Sequence, residues 1–316
     1  MNSVTKPQKP PLVVIIGPTA VGKTKISIRV AERVGGEIIS ADSRLVYIGM
    51  DIGTAKPSLE DRARVPHHLI DVATPDKILS LADYQVNAKR LIKEIIQRGN
   101  IPFLVGGTGQ YIRAITQGWT IPEVIPNEKI RLILERWAVE IGYAGLHQRL
   151  SVIDPNAAGK IDPTNLRRTI RALEVIFLTG ERFSDKRGAE EVPYRILQIG
   201  LFRPRTELYQ RIDERIDQML MNGFEEEVRE LLNQGYSTET PPLSAIGYRQ
   251  MIAYVQGEIT LEEAVLLMKR KTRVFVRHQA NWFKKDDPLI EWYPIEENLV
   301  EGLVKRITGF VNKVNL

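Results

Sequence analysis

Gly17-Pro-Thr-Ala-Val-Gly22-Lys23-Thr24 has the G-x-x-x-x-G-K-[ST] spacing of a phosphate-binding loop. Small or glycine residues there let backbone N–H groups approach phosphate oxygens, which makes Gly17, Thr19, Ala20 and Gly22 candidate contacts. Lys23 adds a full positive charge, and the start of the following helix adds a partial one. The Thr24 hydroxyl is a candidate ligand for Mg²⁺. Such a loop reports a polyphosphate without saying which. A nucleoside triphosphatase also needs an acid at the end of a second apolar strand, to hold the metal through water. Residues 101–105 are apolar but run into Gly106-Gly107-Thr108, with no carboxylate. Asp42, closing a different apolar stretch, is the acid best placed to reach the loop. This weakens a plain ATPase and leaves open a small-molecule kinase with Asp42 as base.

The elements that must carry these residues follow from periodicity. Residues 12–16 form a short apolar run, and Ile26, Val30, Ala31 and Val34 recur at helical spacing until Gly35-Gly36. Residues 37–41 predict a second strand, 67–72 another, 81–98 a helix and 101–105 a buried strand. Strands alternating with helices predict a parallel sheet covered on both faces. After about residue 120 strand signals nearly vanish up to residue 193, and Leu166, Ile170, Leu173 and Phe177 form a helical stripe. Residues 194–202 read as a returning strand. Helices follow, one with Leu208, Ile212, Ile216 and Leu220 in line and one opening on a capping box, Thr260 with Glu263. The expected fold is therefore an α/β core from residues 1–119 and 195–316, interrupted by a small all-helical insert at 120–194.

Composition sets outer limits. The chain has 316 residues, 43% hydrophobic and 26% charged, with a formal charge of +5, which is ordinary for a folded protein. It has no cysteine, excluding disulfides, thiolate nucleophiles and cysteine-ligated metals. Its first eleven residues are polar and Pro-rich, unlike a signal or transit peptide, and no run near the start approaches the ~20 apolar residues of a bilayer span. A cytoplasmic protein without membrane contact is expected.

The charge is unevenly spread. Between residues 266 and 285 there are seven basic residues and no acid. Lys269, Arg273, Arg277 and Lys284 fall at spacings that line one helical face, with Phe275, Trp282 and Phe283 interleaved. Arg167, Arg168 and Arg171 make a second cluster within the insert. Both are candidate nucleic-acid surfaces, while solvated faces and core aromatics are the plainer alternative. His67-His68 with Asp71 does not have metal-site geometry, because neighbours on a strand point to opposite faces. Glu225, Glu226, Glu227 and Glu230 read as a solvated helix face.

Taken together, Gly17 to Thr24, Ser40-Ala-Asp42-Ser43, Tyr47, Asp51-Ile-Gly53-Thr-Ala-Lys56-Pro57, Pro66-His67-His68 and Gly106-Gly-Thr108 resemble the tRNA dimethylallyltransferases. So do Arg168, Arg171-Ala-Leu-Glu174, Gly223-Phe224, Gly247-Tyr248 and Arg277-His-Gln279-x-x-Trp282-Phe283. The resemblance runs in chain order from about residue 12 to 285. One departure is Leu45, where many members of that family have Gln.

The resemblance implies a P-loop NTPase-like core with a helical insert. It implies transfer of a dimethylallyl group from dimethylallyl diphosphate to the exocyclic N6 amine of adenosine 37, just 3′ of the anticodon. The loop would then bind diphosphate rather than ATP. The adenine amine is a poor nucleophile whose proton turns acidic only as the new carbon bond forms, so a carboxylate can take it in the transition state. Asp42 is the candidate base. Arg215 matches the family's diphosphate-contacting arginine, and Thr108 is a candidate contact to the amine or a diphosphate oxygen. Candidate tRNA contacts are Lys269, Arg273 and Arg277 from the basic row, Arg168 from the insert, and Gln279 and Trp282 from the matched motif. An adenine in a stacked loop must be extruded to reach Asp42, and two basic surfaces would grip the anticodon stem-loop. A monomer using Mg²⁺ is expected. Prenylation of free adenine nucleotides, a kinase, or a nucleic-acid-binding ATPase are the competing readings.

Overall fold

The computed structural model describes residues 9–122, 124–186 and 188–312, so residues 1–8 of the polar start lie outside it. The chain divides into two compact units, one made of the segments up to Thr116 and from Val192 onward, the other of Gln117–Glu191.

The first unit begins with β1 (Pro11–Ile16), α1 (Lys23–Val34), β2 (Gly36–Ala41), α2 (Leu59–Arg64), β3 (His67–His68), α3 (Leu81–Gln97), β4 (Ile101–Gly106) and α4 (Gly109–Thr116). The second unit holds β5 (Trp119–Thr120), α5 (Glu128–Ile141), α6 (Tyr143–Ile153), α7 (Pro155–Ala158), α8 (Leu166–Thr179) and β6 (Gly188–Ala189). The chain then returns to the first unit with β7 (Arg195–Phe202), α9 (Arg205–Met221), α10 (Phe224–Asn233), α11 (Tyr248–Val255), α12 (Leu261–Gln279), β8 (Ile290–Pro294) and α13 (Leu299–Asn312).

The sheet order is β3-β2-β4-β1-β7-β8, and each of its pairings is parallel. This is an α/β fold with a P-loop. Side chains alternate along β1: Val13 and Ile15 join the core beneath α1 and α9–α13, while Leu12, Val14 and Ile16 join that beneath α3 and α4. Burial on both faces is why β1 is a continuous apolar run rather than an alternating one. The expected strand at 67–72 is only β3. Leu69 and Asp71 adopt φ of 59° and 54°, left-handed conformations that end an extended run. Thr260 and Glu263 do close a capping box on α12, each side chain accepting from the other's N–H.

Within the second unit α5–α8 enclose their own core of Leu134, Leu146, Leu150, Leu173 and Phe183. Glu174, fully buried there, accepts from Arg131, Arg171 and the Asn127 N–H. Trp119–Thr120 pairs antiparallel with Gly188–Ala189. No helix among the described residues is long and apolar enough to cross a membrane.

Candidate active site

Strand register assembles the site. Ile16 pairs with Gly106, and Ala41 also pairs with Gly106, so β1, β4 and β2 end side by side. The residues that follow them, Gly17, Gly107 and Asp42, are therefore neighbours at the carboxyl edge, where ligands bind in open α/β sheets. A cavity of about 760 Å³ opens there, lined by Thr19 to Lys25 except Val21, by residues 42–45, 53–57 and 106–108, and by α9 and α12.

The loop's shape depends on its backbone. Gly22, which caps α1, has φ 108°, a conformation a side chain resists, and Ala20 is held at φ 65°. Lys23 donates to the carbonyls of Gly17 and Pro18, each at 2.9 Å. Burial pushes its ammonium pKa down to about 8, with Asp42 pulling it up and Arg215 pushing it further down. Arg215 donates to the Thr54 carbonyl at 3.1 Å, and Arg211 to that of Ala20 at 2.9 Å. Burial lowers the Arg215 pKa too, against the attraction of Asp42 and with the repulsion of Arg211. Three cations thus converge on one wall, and none forms an ion pair with a carboxylate among the described residues.

Asp42 follows β2 directly. One carboxylate oxygen accepts from the Arg44 N–H at 2.9 Å, an Asx-type turn that fixes the side chain at the cavity. Thr108 is anchored through its N–H to the Ala41 carbonyl, and its hydroxyl accepts from the Ser43 N–H at 3.1 Å. Asp42 is therefore framed on both sides by residues 43 and 108. Ile212, Ile216, Met219, Ala245, Met268 and Phe275 add apolar lining to the same cavity. Leu45 also lines it.

Several sequence expectations change. Gln279 is buried; it accepts from the Thr19 N–H at 2.9 Å and donates to the Gly107 carbonyl at 3.3 Å. It is a strut between the phosphate loop and the end of β4, not a surface group. Trp282 lies against Gly109, with the Arg113 guanidinium 5.2 Å from its ring centre, so packing against α4 uses much of it. The basic row is shorter and less free than its spacing suggests. α12 stops at Gln279, leaving Lys284 beyond it. Lys269 pairs with Asp217 at 2.7 Å, and Arg273 pairs with Asp213, both acids standing on α9. Arg277 is exposed and bonds the Tyr209 hydroxyl at 3.2 Å. In the second unit Arg167 and Arg168 are exposed, whereas Arg171 is tied to Glu174 and to the Val124 carbonyl.

The histidines are taken up structurally: His68 bonds Glu37, and His67 bonds the Val65 carbonyl. Glu37, bonded chiefly by Arg98 and also by Asn100 and His68, has its pKa held down at about 2 despite burial. Glu227, expected on a solvated face, instead turns inward and accepts from the N–H groups of residues 51, 52 and 53. Lys56 is buried among Asp51, Asp71 and the Tyr47 carbonyl. Neither Glu227 nor Arg211 carries a local signal, because the backbone groups they bond lie more than 170 residues away. No group of three or more His, Asp or Glu among the described residues is arranged to hold a metal.

A family model described as IPP transferase matches residues 45–286. A tRNA dimethylallyltransferase of Roseiflexus sp. (strain RS-1) is 51% identical over 275 residues, 87% of this chain and 90% of that protein. One from Thermomicrobium roseum is 47% identical over 290 residues, covering 92% and 88%. The crystal structure of a full-length tRNA isopentenylpyrophosphate transferase from Bacillus halodurans superposes with a TM-score of 0.72 at 42% identity, over 97% of this chain and 98% of that one. A eukaryotic dimethylallyltransferase acting on tRNA superposes with a TM-score of 0.81 at 25% identity, covering 96% and 80%.

Proposed function

The chain belongs to the tRNA dimethylallyltransferase family, and we propose that it moves a dimethylallyl group from dimethylallyl diphosphate to the N6 amine of adenosine 37 of tRNA. The observation that carries this is one cavity holding a phosphate loop, three cations without carboxylate partners, a framed aspartate and an apolar wall. A kinase could use the loop, the cations and the aspartate; the apolar wall beside them is what a dimethylallyl group needs in addition.

The diphosphate lies along the phosphate loop against N–H groups such as those of Ala20 and Gly22, because the Thr19 N–H is held by Gln279 and the Val21 N–H by the Pro18 carbonyl. Lys23 and Arg215 face the charge that builds as the carbon–oxygen bond breaks. The five-carbon group rests on the apolar wall of α9 and α12. The adenine, extruded from the anticodon loop, enters with its amine towards Asp42, which takes the proton as the new carbon–nitrogen bond forms. Thr108 holds Ser43, and so the Asp42 turn, in register; its hydroxyl is also within the cavity for the amine or a diphosphate oxygen. Mg²⁺ fits this donor set, since it keeps several waters and takes few protein ligands beside phosphate oxygens. The Thr24 hydroxyl would hold it, with Asp42 reached through water, and the ion would neutralise charge on the departing diphosphate.

Exposed Arg167, Arg168, Arg270, Lys271 and Arg277 suit phosphate contact with the tRNA. Lys269 and Arg273 take part only by exchanging Asp217 and Asp213 for phosphates. Gln279 and Trp282 act from within, by holding the loop and α4. Incubating the protein with labelled dimethylallyl diphosphate and, separately, unmodified tRNA, AMP and ATP tests the proposal. Label should enter tRNA alone, as N6-dimethylallyl adenosine at position 37. RNA-stimulated ATP hydrolysis without prenyl transfer would overturn it.

A further inference from the structure

Residues 51–57 carry the most distinctive string in the sequence, yet of their side chains only Thr54, Ala55, Lys56 and Pro57 even border the cavity. The string's backbone shows what the other residues of the segment do. We propose that Glu227 is the positioning residue for Arg215, and that it acts through the backbone of residues 51–54.

One oxygen of Glu227 accepts from the N–H groups of Asp51 and Ile52, at 2.8 and 2.6 Å. The other accepts from the N–H of Gly53 at 3.1 Å and from the Tyr248 hydroxyl at 2.6 Å. Three successive backbone donors on one carboxylate form a nest, and the nest sets the path of the chain. The next residue, Thr54, turns its carbonyl to Arg215. Other restraints act on the same few residues. The Thr54 hydroxyl donates to the Met50 carbonyl at 2.6 Å, and Ala55 is held at φ 50°. Gly53 is pressed onto two rings, where a Cβ would lie 2.2 Å from Phe224 and 2.7 Å from Tyr248. Those rings meet edge to face, 5.1 Å between centres. Burial, with the Glu227 charge beside it, raises the Tyr248 pKa, so its hydroxyl stays protonated and remains a donor.

This indirect arrangement has a physical reason. Arg215 is a long side chain beside two other cations, and a carboxylate bonded directly to it would fix its place but cancel its charge. A carbonyl fixes the guanidinium and leaves the charge for an anion. Setting the acid behind the loop supplies rigidity without neutralisation. The inference rests on the assignment of Arg215 to the diphosphate.

A double-mutant cycle with single-turnover transfer tests it. Glu227→Ala should slow transfer and weaken dimethylallyl diphosphate binding by roughly 10-fold when Arg215 is present, but by less than about 2-fold on an Arg215→Ala background. tRNA affinity should not move. Glu227→Gln, whose amide oxygen still accepts N–H bonds, should recover most of the rate. If Glu227→Ala does not fold, Glu227→Gln and Tyr248→Phe enter the same cycle, with smaller losses that again vanish without Arg215. Equal losses on both backgrounds, with Arg215→Ala itself slow, would overturn the inference and leave the site assignment standing. Normal transfer by Arg215→Ala would overturn the assignment of the arginine, and the inference with it.

Discussion

The cations of the cavity and those of the α9–α12 face are satisfied in opposite ways. Lys23, Arg211 and Arg215 give their N–H groups to backbone carbonyls of residues 17, 18, 20 and 54. Lys269 and Arg273 on α12, whose Met268 and Thr272 line the same cavity, sit on the carboxylates of Asp217 and Asp213. A carbonyl satisfies a donor and leaves its charge in place; a carboxylate cancels it. The cavity cations therefore keep charge that an anion could use, while the longest basic run of the sequence is largely neutralised where it meets α9. Counting basic residues locates the second region, whereas which cations keep their charge is revealed only by their partners.

Removing the Asp42 carboxylate, whose charge acts on both Lys23 and Arg215, should have the largest effect. Asp42→Asn is expected to slow single-turnover transfer by ~10²–10⁴-fold, as for loss of a general base, with tRNA affinity little changed. Near-normal transfer would make Asp42 a structural or water-bridged metal contact.

The paired and unpaired cations of α12 should separate in a salt titration. Arg277→Ala should make the slope of log tRNA affinity against log salt shallower by roughly 0.7–0.9. Lys269→Ala and Arg273→Ala should each change it by less, because each of these cations is already paired with an acid rather than with a phosphate. Asp213→Asn should do the reverse and steepen the slope, by freeing Arg273. Three equal slopes for the alanine variants would show that the pairs with Asp213 and Asp217 are not kept when RNA binds.

A smaller effect follows from Lys23. Burial lowers its pKa to about 8, so the group is charged below that pH and neutral above it. Diphosphate favours the charged form, so affinity for inorganic diphosphate should fall as pH rises through about 8, with a proton taken up on binding near that pH. Calorimetry in buffers of different ionisation enthalpy measures both. Pairing with the anion lifts the pKa, so the fall is gradual. An affinity flat across this range, with no proton uptake, would place the diphosphate away from Lys23.

What could be read in the sequence divides along the same line as the cations. The phosphate loop, the end of β2 at Asp42 and the Gly106-Gly107-Thr108 turn are set by local backbone needs: small residues for close approach, and strand ends brought level by parallel register. Periodicity therefore places them. The capping box on α12 is equally local. The rest depends on partners far away in the chain. Gln279 meets Thr19 across 260 positions, Glu227 meets the 51–53 loop across 174 to 176, and Arg273 meets Asp213 across 60. A glutamate in the first turn of a helix looks alike whether it faces water or three backbone N–H groups of a distant loop. The strand expected at 67–72 failed for a different reason, two left-handed residues that apolar periodicity does not reveal.

The central claim is that the carbonyl-bonded cations, and not the acid-paired ones, hold the diphosphate. Calorimetric titration of dimethylallyl diphosphate into the Lys23→Ala, Arg215→Ala, Lys269→Ala and Arg273→Ala proteins tests it most directly. The first two should bind ~10–10²-fold more weakly than the unaltered chain, the cost of a charge-assisted hydrogen bond, and the last two should bind within about 2-fold of it. Comparable losses in all four, or losses confined to Lys269→Ala and Arg273→Ala, would contradict it.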